Sequence, residues 1–465
     1  MFKKEVYTSR REKLKKTVGS GLILLLGNDE SPMNYADNPF HFHQDSTFRY
    51  FCGLDFPYLA CVLDCDSGNE IIFGDDLTVE DFVWMGPQPT IKERASAFGI
   101  TEAAPIRKLV DKLQKERNAS RTIHFLPPYR PENKIKLFEW LGILPAESQA
   151  ESSLELVRAV IDQRNYKSPE EIEEIRKAAD ISVDMHRTAM RLAAPGVTEA
   201  QIAAAVNNAA EADGARMSFP IIATINGQTL HNHYHGNTLQ SGQMFLLDAG
   251  AEIESGYGAD LSSTVQVGPH FTPVQRDIYT ITLDSHNTAI SMLKPGIAFK
   301  EVYLESARVI VRGLKDMGLM KGDVDEAVSN GAHALFFPCG LGHMMGMDVH
   351  DMEDLGEIYV GWNGQEKPKQ FGIKSLRLSR KLEPGFVLTI EPGIYFIPEL
   401  IDQWQKTGNN SGFINFDRVN EFRNFSGIRN EEDFLITETG YELLGKLKPK
   451  SLDDVEAEHA KDLPL

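Results

Sequence analysis

One pattern occurs twice in this chain and limits the folds open to it. Gly242-Gln-Met-Phe-Leu-Leu-Asp248-Ala-Gly250 and Gly385-Phe-Val-Leu-Thr-Ile-Glu391-Pro-Gly393 both read glycine, five residues, a carboxylate, any residue, glycine. The five intervening residues are mostly apolar, as in a buried strand. A matching helical layout leads into each copy. Ala194-Pro-Gly-Val197 follows a first long helix, and Lys294-Pro-Gly-Ile297 follows a second that begins near Val274. Further helical patterns then run to about Ala212 and Leu314. Repeated element order with a repeated carboxylate implies duplicated halves about a pseudo-two-fold axis. Two acidic side chains would then converge from matching strands.

The first long helix has a sharp start. Ser168-Pro169-Glu170-Glu171 combines an N-cap serine, proline at the first helical position and glutamate three past the cap. Ile172, Ile175, Ala179, His186 and Met190 fall on one face, so His186 reads as a helix-face residue and not a ligand. Upstream the pattern changes. Leu22–Leu26 is an apolar run bounded by glycines, and Ala60–Leu63 and Glu70–Phe73 flank the turn-like Asp66-Ser-Gly-Asn69. Helical stretches such as Arg107–Gln114 interleave with them. These signals predict an α/β amino-terminal domain over 1–167, a second domain over 168–446 and a charged, solvated tail over 447–465.

A length of 465 residues agrees with two domains. The formal charge of −19 argues against nucleic acid or an anionic membrane as partner. Four cysteines without a pairing pattern point to a reducing compartment, and Cys61-x-x-x-Cys65 has no second Cys/His pair with which to bind zinc. Met1-Phe-Lys-Lys-Glu lacks the apolar core of a signal peptide, and Leu22–Leu26 is too short to span a bilayer. A cytoplasmic location is the expectation.

Acidic residues supply the chemistry. A turn signal at Ser255-Gly256 makes Asp248 to Asp260 a hairpin; with the turn centred on 254 or 255, the two aspartates lie opposite or nearly so. Opposed β-carbons are only ~4.5–5.5 Å apart. Two buried aspartates so placed repel unless one is protonated or a cation lies between them. Both could instead face water, but the apolar Phe245-Leu-Leu247 weighs against that. Over Gly427–Thr437, alternation puts Arg429, Glu431 and Asp433 on one face and Asn430 and Glu432 on the other. Periodicity does not choose between Glu431 and Glu432. Cys339-Gly-Leu-Gly-His343-Met-Met-Gly-Met-Asp-Val-His350-Asp351 adds two histidines, and by itself it reads equally well as a packed turn. His41-Phe-His43 reads as part of a polar loop. Asp248, Asp260, His343, Glu391 and one of Glu431/Glu432 form an oxygen-rich set suited to two divalent cations, manganese first. Four carboxylates balance their charge and leave room for a bridging hydroxide; such pairs lie ~3.5–4 Å apart and activate water for hydrolysis.

These segments resemble the pita-bread metallopeptidases of the Xaa-Pro group, aminopeptidase P and prolidase. The likeness rests on Leu247-Asp-Ala-Gly250, Asp260, Gly340-Leu-Gly-His343 through Val349-His-Asp351, Thr389-Ile-Glu-Pro-Gly-Ile-Tyr395 and Gly427-Ile-Arg-Asn-Glu-Glu-Asp433. It covers residues from about 169 to 446, and Gln44-Asp-Ser-Thr-Phe-Arg-Tyr-Phe-Cys-Gly-Leu54 is similar to the group's smaller domain. The resemblance implies an α+β pita-bread (creatinase/aminopeptidase) catalytic domain and hydrolysis of amino-terminal Xaa-Pro bonds in peptides or dipeptides. Asp248, Asp260, His343, Glu391 and Glu431 would hold the two metals, with Zn2+ or Co2+ as alternatives to Mn2+. Glu391 would also shuttle a proton, and Arg429 would buttress Glu431. His350 would stabilise the tetrahedral intermediate or hold the scissile carbonyl, and His231, with His233 as rival, would steady substrate. Ser375-Leu-Arg377 with Tyr395–Asp402 tilts toward prolidase, in which Arg377 would bind a dipeptide carboxylate. Trp84 would correspond to a substrate-contacting tryptophan from a neighbouring subunit in a homodimer or larger assembly.

Three positions depart from the pattern. Cys339 stands where the family has a histidine, the Asp248–Asp260 interval is one residue longer, and Ser262 replaces a common threonine. Methionine aminopeptidase normally lacks so large an amino-terminal domain, and creatinase-like hydrolases lose the metal carboxylates. A catalytically impaired peptide-binding protein on the same fold is the alternative from outside enzymology, and Cys339 is its one hint.

Overall fold

The computed structural model describes residues 2–461. Contacts divide the chain into Met1–Arg164 with Met352–Gly356, and Asn165–Asp351 with Glu357–Leu465.

The first unit is built on a mixed sheet in the order Glu102–Ala104, Glu70–Phe73, Ala60–Asp64, Leu22–Leu26, Ile123–Phe125. Leu22–Leu26 runs antiparallel to Ala60–Asp64 and parallel to Ile123–Phe125. The glycine-bounded run at 22–26 is buried as its uniform apolarity requires. The two strands that sequence reading missed have three residues each, too few to show alternation. Basic residues of the first helix, Lys4–Val18, are not all at the surface. Arg11 is fully buried, with Nε donating to Glu70 at 2.8 Å and its two terminal nitrogens to the carbonyls of Phe51 at 2.9 Å and Phe98 at 3.0 Å. One planar fork thus ties the helix to a strand, to the helix Ser46–Cys52 and to a turn at Phe98, a geometry that lysine cannot reproduce.

The second unit carries the duplication. Helices Pro169–Leu192 and Glu199–Ala212 pack together in one half, and Pro273–Met292 and Phe299–Asp316 in the other. Ser168 caps the first, its hydroxyl accepting from Glu171 N and the Glu171 carboxylate from Ser168 N. One three-stranded sheet orders Leu261–Gln266, Met244–Ala249, Ile222–Thr224, and the other orders Val387–Ile390, Glu432–Ile436, Tyr441–Leu443. Asp248 is the next-to-last residue of the central strand of the first sheet, and Glu391 directly follows Val387–Ile390, an edge strand of the second. The α+β repeat expected from the two glycine–carboxylate motifs is therefore present in three dimensions.

The carboxy-terminal stretch differs from the expected solvated tail. Leu452–His459 is a helix capped by Ser451 that buries Val455 and Glu458. Arg191 Nε donates to Glu458 at 2.8 Å, and the His459 ring bonds Met190 O at 2.7 Å. A single buried valine in eight residues leaves no periodic signal, so this docking is decided by tertiary contacts. The last residues of that tail, 462–465, lie outside the described residues. Among the described residues no helix is long and apolar enough to cross a membrane.

Arg11→Met leaves Glu70 and two buried carbonyls without the guanidinium. The expected loss is about 3 kcal/mol of stability in the first unit, read from the denaturant midpoint.

Candidate metal centre

The hairpin turn sets the acidic geometry. Ile253 N bonds Tyr257 O at 3.1 Å, and Gly256 takes φ 85°, so the turn centres on Ser255. Ser262 therefore faces Asp248, and Asp260 lies one pleat further along. Asp248 and Asp260 are diagonal neighbours on one face, the offset arrangement of the two that the sequence allowed. Gly250 makes room for this pairing, because a β-carbon there would lie 1.8 Å from Ala259 O.

Ser262, fully buried, is the junction of the site. Its hydroxyl donates to Glu431 Oε2 at 2.7 Å and accepts from Arg429 Nε at 2.8 Å, while its carbonyl accepts from Glu431 N at 3.1 Å. Arg429 continues to the Tyr395 hydroxyl at 3.0 Å and closes an ion pair with Asp248. The hydroxyl that serine shares with the family's threonine thus orients Glu431 and Arg429 together. Glu432 turns the other way, toward Lys450 and His286.

His343 approaches from the glycine-rich segment. Its carbonyl accepts from Thr389 N at 3.0 Å, and Gly342 permits the contact because a β-carbon would sit 2.0 Å from Thr389 O. The Nδ1–H of His343 donates to Met344 O at 3.1 Å, which leaves the Nε2 lone pair facing Asp260 Oδ2 at 3.4 Å and Glu391 Oε1 at 3.8 Å. Ligand atoms of Asp260, His343 and Glu431 all lie within 4.8 Å of one another. Glu391 borders this trio through His343, and Asp248 borders it through Arg429.

Electrostatics describe a site short of positive charge. Burial, and then the charge of Asp248, raise the Asp260 carboxyl to about 8. Glu431 is raised by burial and by Asp260, Glu391 and Asp248, and Glu391 is raised by burial against the pull of His343 and Arg429. Asp248 Oδ1 and Asp260 Oδ1 are buried without a hydrogen-bond partner. Orphaned carboxylate oxygens, raised acids and one imidazole lone pair on a shared space fit divalent cations.

The remaining expected residues surround this core or stand apart from it. His350 is half-buried, its ring edge-on to His343 with centroids 4.4 Å apart. His231 is exposed at the rim, yet lost hydration lowers its pKa; Asp248 opposes that shift, and Arg429, Arg377 and His350 add to it. His233 is exposed. Arg377 pairs with Glu357 at 3.5 Å and is half-buried. Trp84 belongs to the first unit, in the helix Asp81–Met85, and is 86% exposed. Cys339 is raised to about 12 by burial and by Glu391, with a hydrogen bond to Tyr395 acting the other way.

Two buried groups escaped notice as site residues. Asp433 accepts from Asp260 N at 3.1 Å, and its alternation with Glu431 was the available signal. Lys448 donates to Ser262 O at 2.7 Å and Ser263 Oγ at 3.1 Å, and nothing local in the sequence marks it. His186, read as a helix-face residue, is fully buried and bonds Ala249 O at 3.0 Å and Ser263 Oγ at 2.9 Å.

Residues 173–438 match the model of metallopeptidase family M24, and residues 7–124 match that of the aminopeptidase P amino-terminal domain. The Xaa-Pro aminopeptidase of Escherichia coli K12 is 30% identical over 474 residues, covering 98% of this chain and 97% of its own. Human Xaa-Pro dipeptidase is 28% identical, with 94% of this chain and 88% of its own covered. The structure of proline aminopeptidase P II from Yersinia pestis aligns with a TM-score of 0.82 at 28% identity, covering 99% of this chain and all of the other. A zinc-substituted E. coli aminopeptidase P in complex with product aligns at 0.79 and 27% identity, covering 98% of each chain.

Unfolded Asp260 ionises near ~4, whereas the folded, metal-free group keeps its proton to about 8. On this group the metal-free fold loses stability as pH rises between those values. Buried His186, His286 and His333 have lowered pKa values, so they act in the opposite sense, but only below their unfolded value of ~6.5. Melting of the metal-free protein is therefore expected to shift to lower temperature from pH 7 to pH 8. Addition of a divalent metal should raise the midpoint and flatten that slope in a thermal-shift assay.

Proposed function

Because the chain belongs to metallopeptidase family M24, we propose that it is a metal-dependent exopeptidase that cleaves the bond between an amino-terminal residue and proline. The observation that carries this reading is the convergence of Asp260, His343 and Glu431 ligand atoms within 4.8 Å, beside orphaned aspartate oxygens. Asp248, Asp260, His343, Glu391 and Glu431 would hold two divalent ions, manganese first and zinc or cobalt as alternatives. When bound, the ions supply Lewis acidity and a water nucleophile reactive near neutral pH. Everything else falls to side chains of this chain.

Glu391, raised by its burial, accepts a proton from the attacking water and delivers it to the leaving proline nitrogen. His350, beside His343, donates to the carbonyl oxygen as negative charge develops on it. Arg429 holds Asp248 and, through Ser262, Glu431 in place. His231 steadies the substrate, with His233 as its rival; the electrostatic reach between His231 and both Asp248 and His350 supports the first. Surplus acidity also attracts the substrate's α-ammonium group. An Xaa-Pro bond is a tertiary amide without an N–H, which general peptidases handle poorly, so a dedicated pocket has a physical rationale. Arg377 would receive the carboxylate of a dipeptide, an assignment supported by its influence on Asp260 and Glu391. The exposed Trp84 would reach the site of a neighbouring subunit in a homodimer or larger assembly. Four free cysteines agree with a cytoplasmic location.

Hydrolysis of an Xaa-Pro peptide should appear with Mn2+ and disappear with chelator; absence of any bindable divalent metal would defeat the enzyme reading. Glu431→Gln should weaken Mn2+ binding by at least about tenfold in calorimetry, and Glu432→Gln much less. The opposite order would move the ligand by one residue. Arg377→Ala should raise KM for an Xaa-Pro dipeptide more than for an Xaa-Pro-Xaa peptide, and equal effects would remove the dipeptidase assignment.

A further inference from the structure

Lys167 lies in the interval between the two matched family models, at the position before the N-cap of the Pro169–Leu192 helix. A cation there is opposed by the positive end of the helix dipole. Its ammonium is also buried: Lys167 Nζ and Asp351 Oδ2 are 2.8 Å apart, and each side chain is only 1% exposed. Buried pairs of this kind seldom stabilise a fold more than apolar residues of the same size would. Location is what distinguishes this one, since Asp351 directly follows His350.

The segment from His343 to Asp351 is a folded-back loop. Its outgoing limb runs against the Val387–Ile390 strand, with Thr389 N bonded to His343 O at 3.0 Å and Met345 N to Val387 O at 3.0 Å. It reverses at Gly346, whose N–H bonds Asp348 O at 3.0 Å, and returns so that Asp351 N bonds Met344 O at 2.9 Å. The ion pair sits against the reversal. A β-carbon on Gly346 would lie 2.9 Å from Asp351 Oδ2 and 3.0 Å from Lys167 Cε, so glycine there leaves the pair its space. Lys167 is itself anchored, its N–H donating to Gly385 O at 2.8 Å ahead of the strand that aligns His343. Gly346 O also accepts from Gly258 N at 3.1 Å, which joins the loop to the hairpin carrying Asp260.

We propose that Lys167 is a positioning residue for His350, its ion pair with Asp351 fixing the returning limb of the loop against the limb that carries His343. The proposal rests on the reading above, in which His350 acts on the developing oxyanion. Displacing a reacting group by about 1 Å can cost on the order of 100-fold in rate. The effect should fall on turnover and not on metal or substrate binding, because the ligands are held by other bonds.

The test uses the full-length, Mn2+-loaded protein and an Xaa-Pro peptide. Lys167→Met/Asp351→Leu removes both charges together and leaves neither buried alone. The expected result is a kcat lower by roughly 10- to 100-fold, with KM within about twofold, metal content per chain unchanged and the melting temperature held or raised. Among single variants, Lys167→Arg keeps the cation and should retain more kcat than Lys167→Met. A double variant within about twofold of the original kcat overturns the proposal, as does a loss that tracks metal content or melting temperature. Equal kcat for Lys167→Arg and Lys167→Met also overturns it, and so does failure of both methionine variants to fold, which would make the pair a stability element. An unmodified protein that cleaves no Xaa-Pro peptide would instead defeat the reading on which the proposal rests.

Discussion

Mutual repulsion among buried carboxylates is the constraint on which the second unit depends. Asp248 lies within a strand, Asp260, Glu391 and Glu431 each lie one residue outside one, and most of the four are raised by burial and by one another. Arg429 is the internal response. Its guanidinium reaches Asp248, Ser262 and Tyr395, each on a different strand, and its backbone N–H reaches Thr264 Oγ1 at 3.1 Å. A single planar group therefore links the strands across the site. What it does not neutralise is the space bounded by Asp260, His343 and Glu431, where the geometry suits metal ions.

The duplicated frame explains why these acids meet. Each half delivers a carboxylate at the end of a buried strand, and Asp260, just ahead of the Leu261–Gln266 strand, and the acids of the 427–436 segment lie beside them. The halves are unequal in one respect. The first supplies its second aspartate from a hairpin whose turn centres on Ser255, while the second supplies a histidine from a loop that glycines fold tightly against Thr389. One oxygen-bearing arm and one nitrogen-bearing arm thus face each other, and Gly258 N on Gly346 O ties them together.

Support for the site comes in part from beyond the motifs. Lys448 lies after the last strand of the second sheet and holds the carbonyl of Ser262. Asp433 fixes the backbone of Asp260, and Lys167 closes on Asp351 from the start of the first long helix. Each is distant in sequence from what it supports. Such partners orient ligands and reacting groups, and they commonly matter nearly as much as the ligands do.

Much of this was legible in the residues themselves. Strict alternation and glycine spacing encode strand faces, so the repeated motifs, the capped helix at Ser168, the buried run at 22–26 and the placement of Arg429, Glu431 and Asp433 together could be read locally. Short strands such as Ile123–Phe125 and the carboxy-terminal helix with its single buried Val455 could not, because the first is too short to show alternation and the second buries too few apolar residues to mark a face. The sequence by itself determined the duplicated architecture and the residue types that converge, since periodicity and chemistry are local properties. Only the tertiary structure decided which face Glu431 and Glu432 present, the diagonal offset of Asp248 and Asp260, and the burial of Arg11, Lys167 and Lys448. Those depend on strand register and on partners many residues away, and a charge is buried only where the fold brings its counter-charge or hydrogen-bond acceptors to it.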